Sequence, residues 1–188
     1  MRNSNVFSLL GATNHADKQR EKNDFYETPK EAVEELLKYE KFDGEIWECA
    51  CGKNAIVNVL KEKQYEEIYY SDIIDRGVGA DIIDFLQSDR KTKNIITNPP
   101  FKLATKFLRK AIELTENKIV LLLRIQFLEG KERYEIFKQH PPSKVYVFVN
   151  RVNPLIDGKP YSQSAMCLAW FVWDKNYIGD TVIKWLKY

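Results

Sequence analysis

Short apolar runs alternate along this chain with segments whose apolar side chains recur at helical spacing. The apolar runs predict seven strands, at residues 45–48, 67–71, 81–85, 95–97, 119–123, 144–149 and 166–173. The helical spacing predicts helices around residues 30–38, 55–60, 103–114 and 130–139. This alternation is typical of an α/β protein that is built on a mostly parallel sheet.

Two of the runs, residues 119–123 and 166–173, are apolar throughout. A strand that is covered on both faces has this pattern, so we expect both to lie in the middle of the sheet.

One helix start is marked by local sequence. Thr28 is a capping residue type, Pro29 suits the first helical position, and Glu31 completes a capping box. Phe25 and Tyr26 precede it, and they either pack against the helix or line a pocket at its N-terminus.

Composition indicates a single domain of 188 residues that is 44% hydrophobic and 30% charged. A formal net charge of +2 argues against a purely electrostatic, sequence-blind nucleic-acid binder. No apolar run approaches the roughly 20 residues of a membrane helix, and no signal region follows the N-terminus. Three cysteines, Cys49, Cys51 and Cys167, suit packed thiols in a reducing compartment better than disulfides or a zinc site. We therefore expect a cytoplasmic protein without a bound metal.

Residues 1–23 are polar and mixed in charge, which predicts an arm that is mobile in isolation. A bound partner could also order it. The remaining residues, 24–188, contain no linker long enough to divide them, so they are expected to form the one domain.

The first predicted strand runs into a turn of small residues, Cys49-Ala50-Cys51-Gly52, and the second ends at Asp72. In nucleotide-binding half-folds such a turn lets the backbone approach the ligand, and an acid about 20 residues later accepts hydrogen bonds from ribose hydroxyls. A single glycine is weak evidence, because many α/β proteins share this order. The position of Asp72 strengthens the interpretation.

Asp84 and Phe85 end the third predicted strand, and they allow two interpretations of equal weight. The carboxylate and the ring could hold an adenine, or Asp84 could cap a helix start while Phe85 packs in the core.

A stiff corner, Asn98-Pro99-Pro100-Phe101, follows the fourth predicted strand. Pro100 disfavours helical geometry at the residue before it, so the strand must end here. The corner carries one amide and one flat ring, which suits a planar, amino-bearing group. The alternative is an ordinary proline-rich turn.

With this corner, the glycine turn and the two acids, the chain resembles the amino-methyltransferase group of S-adenosylmethionine-dependent enzymes. Within that group it is similar to small phage and prophage-type DNA adenine-N6 methyltransferases, from about Asn23 to Trp173. The Asn98–Phe101 tetrad is the most specific element. It also occurs, commonly with tyrosine last, in methyltransferases that act on guanine amino groups in RNA and on protein glutamine.

The resemblance implies a Rossmann-like methyltransferase fold with helices on both faces of a mostly parallel, seven-stranded sheet whose last strand is antiparallel. It implies S-adenosylmethionine as cofactor, S-adenosylhomocysteine as product, and DNA as partner, with the target adenine flipped into the corner and methylated at N6. The alternatives are an RNA base, a glutamine amide, or a catalytically silent nucleic-acid-binding relative.

The resemblance also implies residue roles. The implied catalytic residues are Asn98, Pro99, Pro100 and Phe101: Asn98 and the Pro99 carbonyl would accept hydrogen bonds from the target amine, while Phe101 stacks on the base. The implied cofactor-binding set is Phe25, Tyr26, Thr28, Pro29, Glu48, Cys49, Ala50, Cys51, Gly52, Asp72, Ile73, Asp84, Phe85 and Asn98. Within this set Glu48 would engage the cofactor amino group, Asp72 the ribose, and Asp84 with Phe85 the adenine.

The chain departs from the family pattern at Cys49, where proline is usual, and at Asn54, where a second glycine is usual. Asparagine tolerates a left-handed backbone well, so Asn54 is expected to preserve the turn. These departures motivate the silent-relative alternative.

No stretch fits a separate target-recognition domain, so the candidates for contacting DNA are the arm and residues 125–132 and 150–164. We therefore expect a short recognition sequence in DNA, a partner protein that supplies specificity, or a homodimer. The face formed by Lys102, Lys106, Arg109 and Lys110 is either solvated or in contact with phosphates.

Overall fold

The computed structural model describes residues 27–153, 155–156, 159–160 and 167–187, with the backbone alone for the two short pairs. The predictions for the arm, for Phe25 and Tyr26, and for much of the 150–164 loop lie outside the described residues.

Four α-helices and ten strands make up the described chain. The helices are α1 (Lys30–Leu37), α2 (Ala55–Glu62), α3 (Ala104–Leu114) and α4 (Lys131–Gln139). The strands are β1 (Ile46–Glu48), β2 (Ile68–Asp72), β3 (Asp81–Ile82), β4 (Thr92–Thr97), β5 (Thr115–Arg124), β6 (Lys144–Phe148), β7 (Leu155–Ile156), β8 (Lys159–Pro160), β9 (Leu168–Asp174) and β10 (Val182–Leu186). Short 3-10 turns lie at Phe85–Gln87, Phe101–Leu103 and Ile125–Leu128.

The main sheet has eight strands in the order β10-β6-β9-β5-β4-β1-β2-β3, so the predicted count of seven was wrong. The additional strand, β10, pairs in parallel with β6 at the edge of the sheet. Its side chains are mostly exposed, but four of its five residues, Val182, Ile183, Trp185 and Leu186, are apolar, so the sequence did contain a signal for this strand.

The predicted antiparallel strand is confirmed as β9, which pairs antiparallel with both β5 and β6 in the interior of the sheet. It is not the last strand of the chain, because β10 follows it and runs parallel to β6. Strands β1, β2, β4 and β5 pair in parallel with their neighbours, so their carboxyl ends meet at one end of the sheet.

Helices cover both faces of the sheet, as predicted. Alternate residues of β5 point to opposite faces: Val120 and Leu122 pack in the cluster that contains α1 and α2, while Leu121 packs in the cluster that contains α3. Because both faces of β5 are buried, its run is continuously apolar. Among the described residues no helix is long and apolar enough to cross a membrane.

The start of α1 differs from its prediction. Pro29 occupies the N-cap position and no side chain caps the helix, so Thr28 is not the cap. The Thr28 hydroxyl instead accepts a hydrogen bond from the Asn98 amide, 3.1 Å away. The hydroxyl thus contacts a residue that is distant in sequence and does not cap its own helix.

Glu40 forms a buried polar cluster at the end of the sheet opposite to Asn98. Its carboxylate accepts hydrogen bonds from Lys118 Nζ, Lys144 Nζ and the Tyr146 hydroxyl, each at 2.7 Å. Burial alone would raise the pKa of Glu40, but these three hydrogen bonds outweigh it and hold the pKa below its usual value. The cluster ties the segment after α1 to β5 and β6.

We expect Glu40→Gln to lower the free energy of unfolding by about 2 kcal/mol or more, because it leaves two ammonium groups without their carboxylate. Since the folded pKa is depressed, this stabilisation is present above about pH 4.5 and is lost as pH falls through the folded value. Urea unfolding at pH 7 and pH 3 measures both effects. Glu62→Gln, which breaks the exposed pair with Lys30, is the control and should leave the unfolding midpoint nearly unchanged. Equal costs for the two variants would contradict a stabilising role for the cluster.

Candidate active site

A cavity of about 680 Å³ opens at the carboxyl ends of β1, β2 and β4. This is the edge at which open α/β sheets bind ligands, and the volume lies in the range of small-molecule sites. Its wall includes Glu48 and the turn through Gly52, Asp72 with Ile73, Asp84 with Phe85, and Asn98 with Pro100. Residues predicted from four separate stretches of sequence therefore meet around one space.

The turn after β1 brings backbone to the cavity through two left-handed residues. Gly52 has φ 55°, and Asn54 has φ 66° and ψ 24°. The left-handed conformation expected of Asn54 is thus confirmed. Its side-chain amide also donates to the Val78 carbonyl at 3.1 Å, which ties the loop after β2 to the turn and which a glycine could not do.

Asp72 joins the turn to the end of β2. Its Oδ2 accepts from the Gly52 amide at 2.9 Å, and its Oδ1 accepts from the Ile74 amide at 3.0 Å. Each oxygen keeps acceptor capacity for a further donor, as hydroxyl recognition requires. The adjacent Ile73 lines the cavity although 61% of its surface is exposed, so it offers an apolar face beside the carboxylate.

Glu48 is a buried carboxyl in the cavity wall, with only 1% of its surface exposed. Its Oε1 accepts a long hydrogen bond of 3.3 Å from the Ala50 amide. The Thr97 hydroxyl lies close enough to the carboxyl to favour its charged form, but no described group completes a well-formed hydrogen bond to Oε2. Burial raises the pKa of Glu48 to about 8, and the Asp72 charge adds to the rise. An orphaned buried oxygen of this kind suits a cationic or hydrogen-bonding ligand group.

Cys49 and Cys51 are free, buried thiols beside this carboxyl. Burial raises the pKa of Cys51 to about 12 and that of Cys49 well above its usual value, with Glu48 contributing to both shifts. Such thiols are protonated at neutral pH and act as packing groups in the wall rather than as nucleophiles. Among the described residues no cluster of side chains could hold a metal ion.

The local structure of Asp84 and Phe85 matches the second interpretation, a capped helix start followed by a core phenylalanine. Asp84 accepts from the Leu86 amide at 3.0 Å and caps a 3-10 turn, while Phe85 is buried against Trp47 and Phe107. Both residues also line the cavity, so a role towards a ligand stays a prediction.

The Asn98–Phe101 corner turns from β4 into a 3-10 turn beside the cavity. Asn98 and Pro100 line the cavity, whereas Pro99 and Phe101 do not. Phe101 packs partly against the core, and the Arg124 guanidinium lies 4.9 Å from its ring centroid. The cavity side of the corner thus carries the amide, and the ring lies outside the cavity, next to the end of β5.

Some predicted and observed site residues differ. Pro29 is buried but does not line the cavity, and Phe25 and Tyr26 are outside the described residues. Several residues that line the cavity were not predicted from the sequence, namely Glu27, Lys53, Ala55, Ile56, Ile74, Arg76, Ile83, Leu86, Lys102, Leu103 and Phe107. Most of them adjoin predicted site residues, so extending each motif by two residues would have found many.

The basic face of α3 divides into two parts. Arg109 pairs with Glu132 and Lys110 pairs with Glu113, so these two are engaged within the protein. In the part of the chain that the structure describes, no acidic side chain forms an ion pair with Lys102, Lys106 or Arg124. The cations nearest to the Asn98–Phe101 corner are therefore the ones that can pair with an anionic ligand.

Comparison of the sequence with protein-family models and with curated proteins gives no match. Solved structures do resemble the fold. A protein from Pyrococcus horikoshii assigned as an RNA methyltransferase superposes with a TM-score of 0.63 at 15% identity, covering 83% of this chain and 90% of that one. A Listeria monocytogenes protein assigned as a class I S-adenosylmethionine-dependent methyltransferase gives 0.63 at 14%, covering 96% and 70%.

A modification subunit assigned to a type I restriction enzyme of Vibrio vulnificus gives a TM-score of 0.62 at 13% identity. The match covers 93% of this chain but only 48% of that subunit, so the chain spans about half of its length. S-adenosylmethionine as cofactor is consistent with these neighbours. The chain has the Rossmann-like fold of S-adenosylmethionine-dependent methyltransferases, with β10 as an eighth strand.

Proposed function

We propose that this protein transfers a methyl group from S-adenosylmethionine to the N6 amino group of adenine in DNA. The observation that carries the proposal is the shared cavity: the Asn98 amide lines the same space as Asp72 and Glu48. A donor site and an amine-acceptor corner must adjoin for direct transfer, because the reacting atoms have to approach within about 3–3.5 Å.

The cavity residues fit the cofactor. Asp72 has acceptor capacity for ribose hydroxyls, and Ile73 offers an apolar surface to the adenine ring. The orphaned Oε2 of Glu48 suits the ammonium of the methionine end. When bound, S-adenosylmethionine would supply a methyl group that is already activated by its sulfonium.

The corner would activate the acceptor by positioning. An exocyclic amine is a weak nucleophile because its lone pair is delocalised into the ring. Hydrogen bonds from its two N–H groups to Asn98 Oδ1 and the Pro99 carbonyl would draw the nitrogen towards tetrahedral geometry and localise the pair. This arrangement needs orientation more than a strong base, which matches a corner that contains no titratable side chain.

Two cations support a nucleic-acid acceptor over a protein amide. Lys102 lines the cavity mouth directly after Phe101, and Arg124 stacks on the Phe101 ring. With Lys106 they form a basic rim beside the corner, and such side chains contact the phosphates on either side of a flipped nucleotide. A glutamine side chain carries no flanking phosphates.

Incubation with methyl-labelled cofactor and DNA, followed by digestion to nucleosides, tests the proposal. We expect label in N6-methyladenine, and parallel reactions with RNA and with protein extract should receive little label. DNA in which adenine is replaced by 2-aminopurine, which lacks the N6 amine, is the matched control. Label in RNA or protein instead of DNA would overturn the DNA assignment.

An RNA base is the second candidate acceptor, since a protein assigned as an RNA methyltransferase shares the fold over 83% of this chain. The parallel reaction with RNA in the same assay decides between a DNA and an RNA acceptor. A catalytically silent relative is disfavoured by the left-handed Asn54, which keeps the turn in spite of the missing glycine. Micromolar binding of S-adenosylhomocysteine in calorimetry would argue further against it.

A further inference from the structure

Residues 27 and 28 connect two sides of the cavity. Glu27 pairs with Lys53, in the turn after β1, at 3.3 Å. The next residue, Thr28, accepts a hydrogen bond from Asn98 Nδ2, in the corner after β4, at 3.1 Å. Thr28 is buried, with 4% of its surface exposed, so water does not compete readily for this bond.

The orientation of the Asn98 carboxamide decides what the corner can do. A half turn about its terminal bond exchanges the oxygen with the NH2 group. Only the oxygen accepts a hydrogen bond from an amine, whereas the NH2 group would face the amine as a second donor. With Nδ2 held by Thr28, Oδ1 lies on the other side of Cγ.

We propose that Thr28 is a positioning residue that fixes the Asn98 amide with its oxygen directed at the acceptor amine. The inference rests on the proposed function, and it gives Thr28, which also lines the cavity, a role at the acceptor corner beside the cofactor contact that the family resemblance implied. Because Glu27 lies within ion-pair distance of Lys53 in the turn after β1, the segment also contacts both halves of the site.

The first test measures the Asn98 side-chain amide directly by nitrogen-15 NMR of the full chain, with the signal assigned by its loss in Asn98→Ala. Thr28→Val removes the acceptor and keeps the side-chain shape. We expect the Asn98 NH2 signals to shift and their protons to exchange with water about tenfold faster. Thr28→Ser keeps the hydroxyl and should restore the wild-type signals. Unchanged signals in Thr28→Val would overturn the proposal.

The second test is kinetic. We expect Thr28→Val to lower kcat for the labelled acceptor about tenfold, while the cofactor KM changes less than twofold. Thr28→Ser should recover at least about half of kcat. Thr92→Val is the matched control: it removes a buried threonine hydrogen bond to Glu45 at the opposite end of β4, so it should lower stability and leave kcat unchanged. A raised cofactor KM with normal kcat in Thr28→Val would assign Thr28 to the cofactor instead.

The two readouts separate this inference from the proposed function. If the wild-type protein labels no nucleic acid, the proposed function fails, and the NMR signals still decide whether Thr28 holds the amide. If nucleic acid is labelled but Thr28→Val behaves as wild type in both tests, the positioning role alone is rejected.

Discussion

The Asn98→Ala variant is expected to lose methyl transfer, with kcat at least about 100-fold below wild type, and to bind S-adenosylhomocysteine within about twofold of wild type. Removal of one preorganised hydrogen-bonding group commonly costs this much in rate. Cofactor binding should persist because the proposed function assigns its contacts mainly to Glu48, Asp72 and the turn of residues 49–52. Single-turnover kinetics and calorimetry measure the two quantities.

Asn94→Ala is the control for this experiment. Asn94 lies four residues earlier in the same region of chain, is buried, and donates to the Asp43 and Glu45 carbonyls. Its replacement should lower stability with little change in kcat. If Asn98→Ala lost cofactor affinity and transfer equally, the tetrad would serve the cofactor or the fold rather than the acceptor.

The Glu48→Gln variant is expected to be more stable than wild type at pH 7 and to bind S-adenosylmethionine about 10- to 100-fold more weakly. A raised pKa, here about 8, means that the folded state resists ionisation of the carboxyl. Wild-type stability therefore falls as pH rises from about 4.5 to 8, where the unfolded chain ionises and the folded protein does not. A neutral glutamine avoids this penalty but forfeits a charge-assisted hydrogen bond to the ligand.

Scanning calorimetry at pH 5 and pH 8 measures the stability of the Glu48→Gln variant. The gain in Tm over wild type should be several degrees at pH 8 and small at pH 5. In wild type, cofactor affinity should rise with pH up to about 8, because binding selects the ionised carboxylate. Glu129→Gln, an exposed substitution, should change neither quantity. Tight cofactor binding by Glu48→Gln would refute the assignment.

The sequence predicted the features of the molecule that depend on interactions between residues close together in the chain. Apolar periodicity located the four helices, and the apolar runs located seven of the eight strands in the main sheet. The left-handed preference of asparagine identified the conformation of Asn54. Each of these features depends on neighbours within a few residues.

The failures have an equally physical origin. Thr28 carries a local capping signal, but its hydroxyl contacts Asn98, 70 residues away, and no local rule reveals that competition. The basic face beside the corner looked uniform, yet Arg109 pairs with Glu132 of another helix, which no local pattern reveals, while Lys110 pairs with Glu113 three residues along the same helix. Edge strand β10 was missed although four of its five residues are apolar, so its local pattern was present and only its exposure sets it apart from the core strands.

The antiparallel direction of β9 has a consequence for how the site could diversify. Because β9 runs against β6, the end of β6 at Phe148 and the beginning of β9 at Leu168 lie at the same edge of the sheet, and Leu168 pairs with Arg124 beside the corner. The connecting chain therefore departs and returns at the end of the sheet that carries the corner, with β9 and β5 between β6 and β4. On the proposed function, a change of length or sequence in this connection would alter the choice of target and leave the strands that carry the cavity residues in place, since β1, β2 and β4 come from other stretches of the chain.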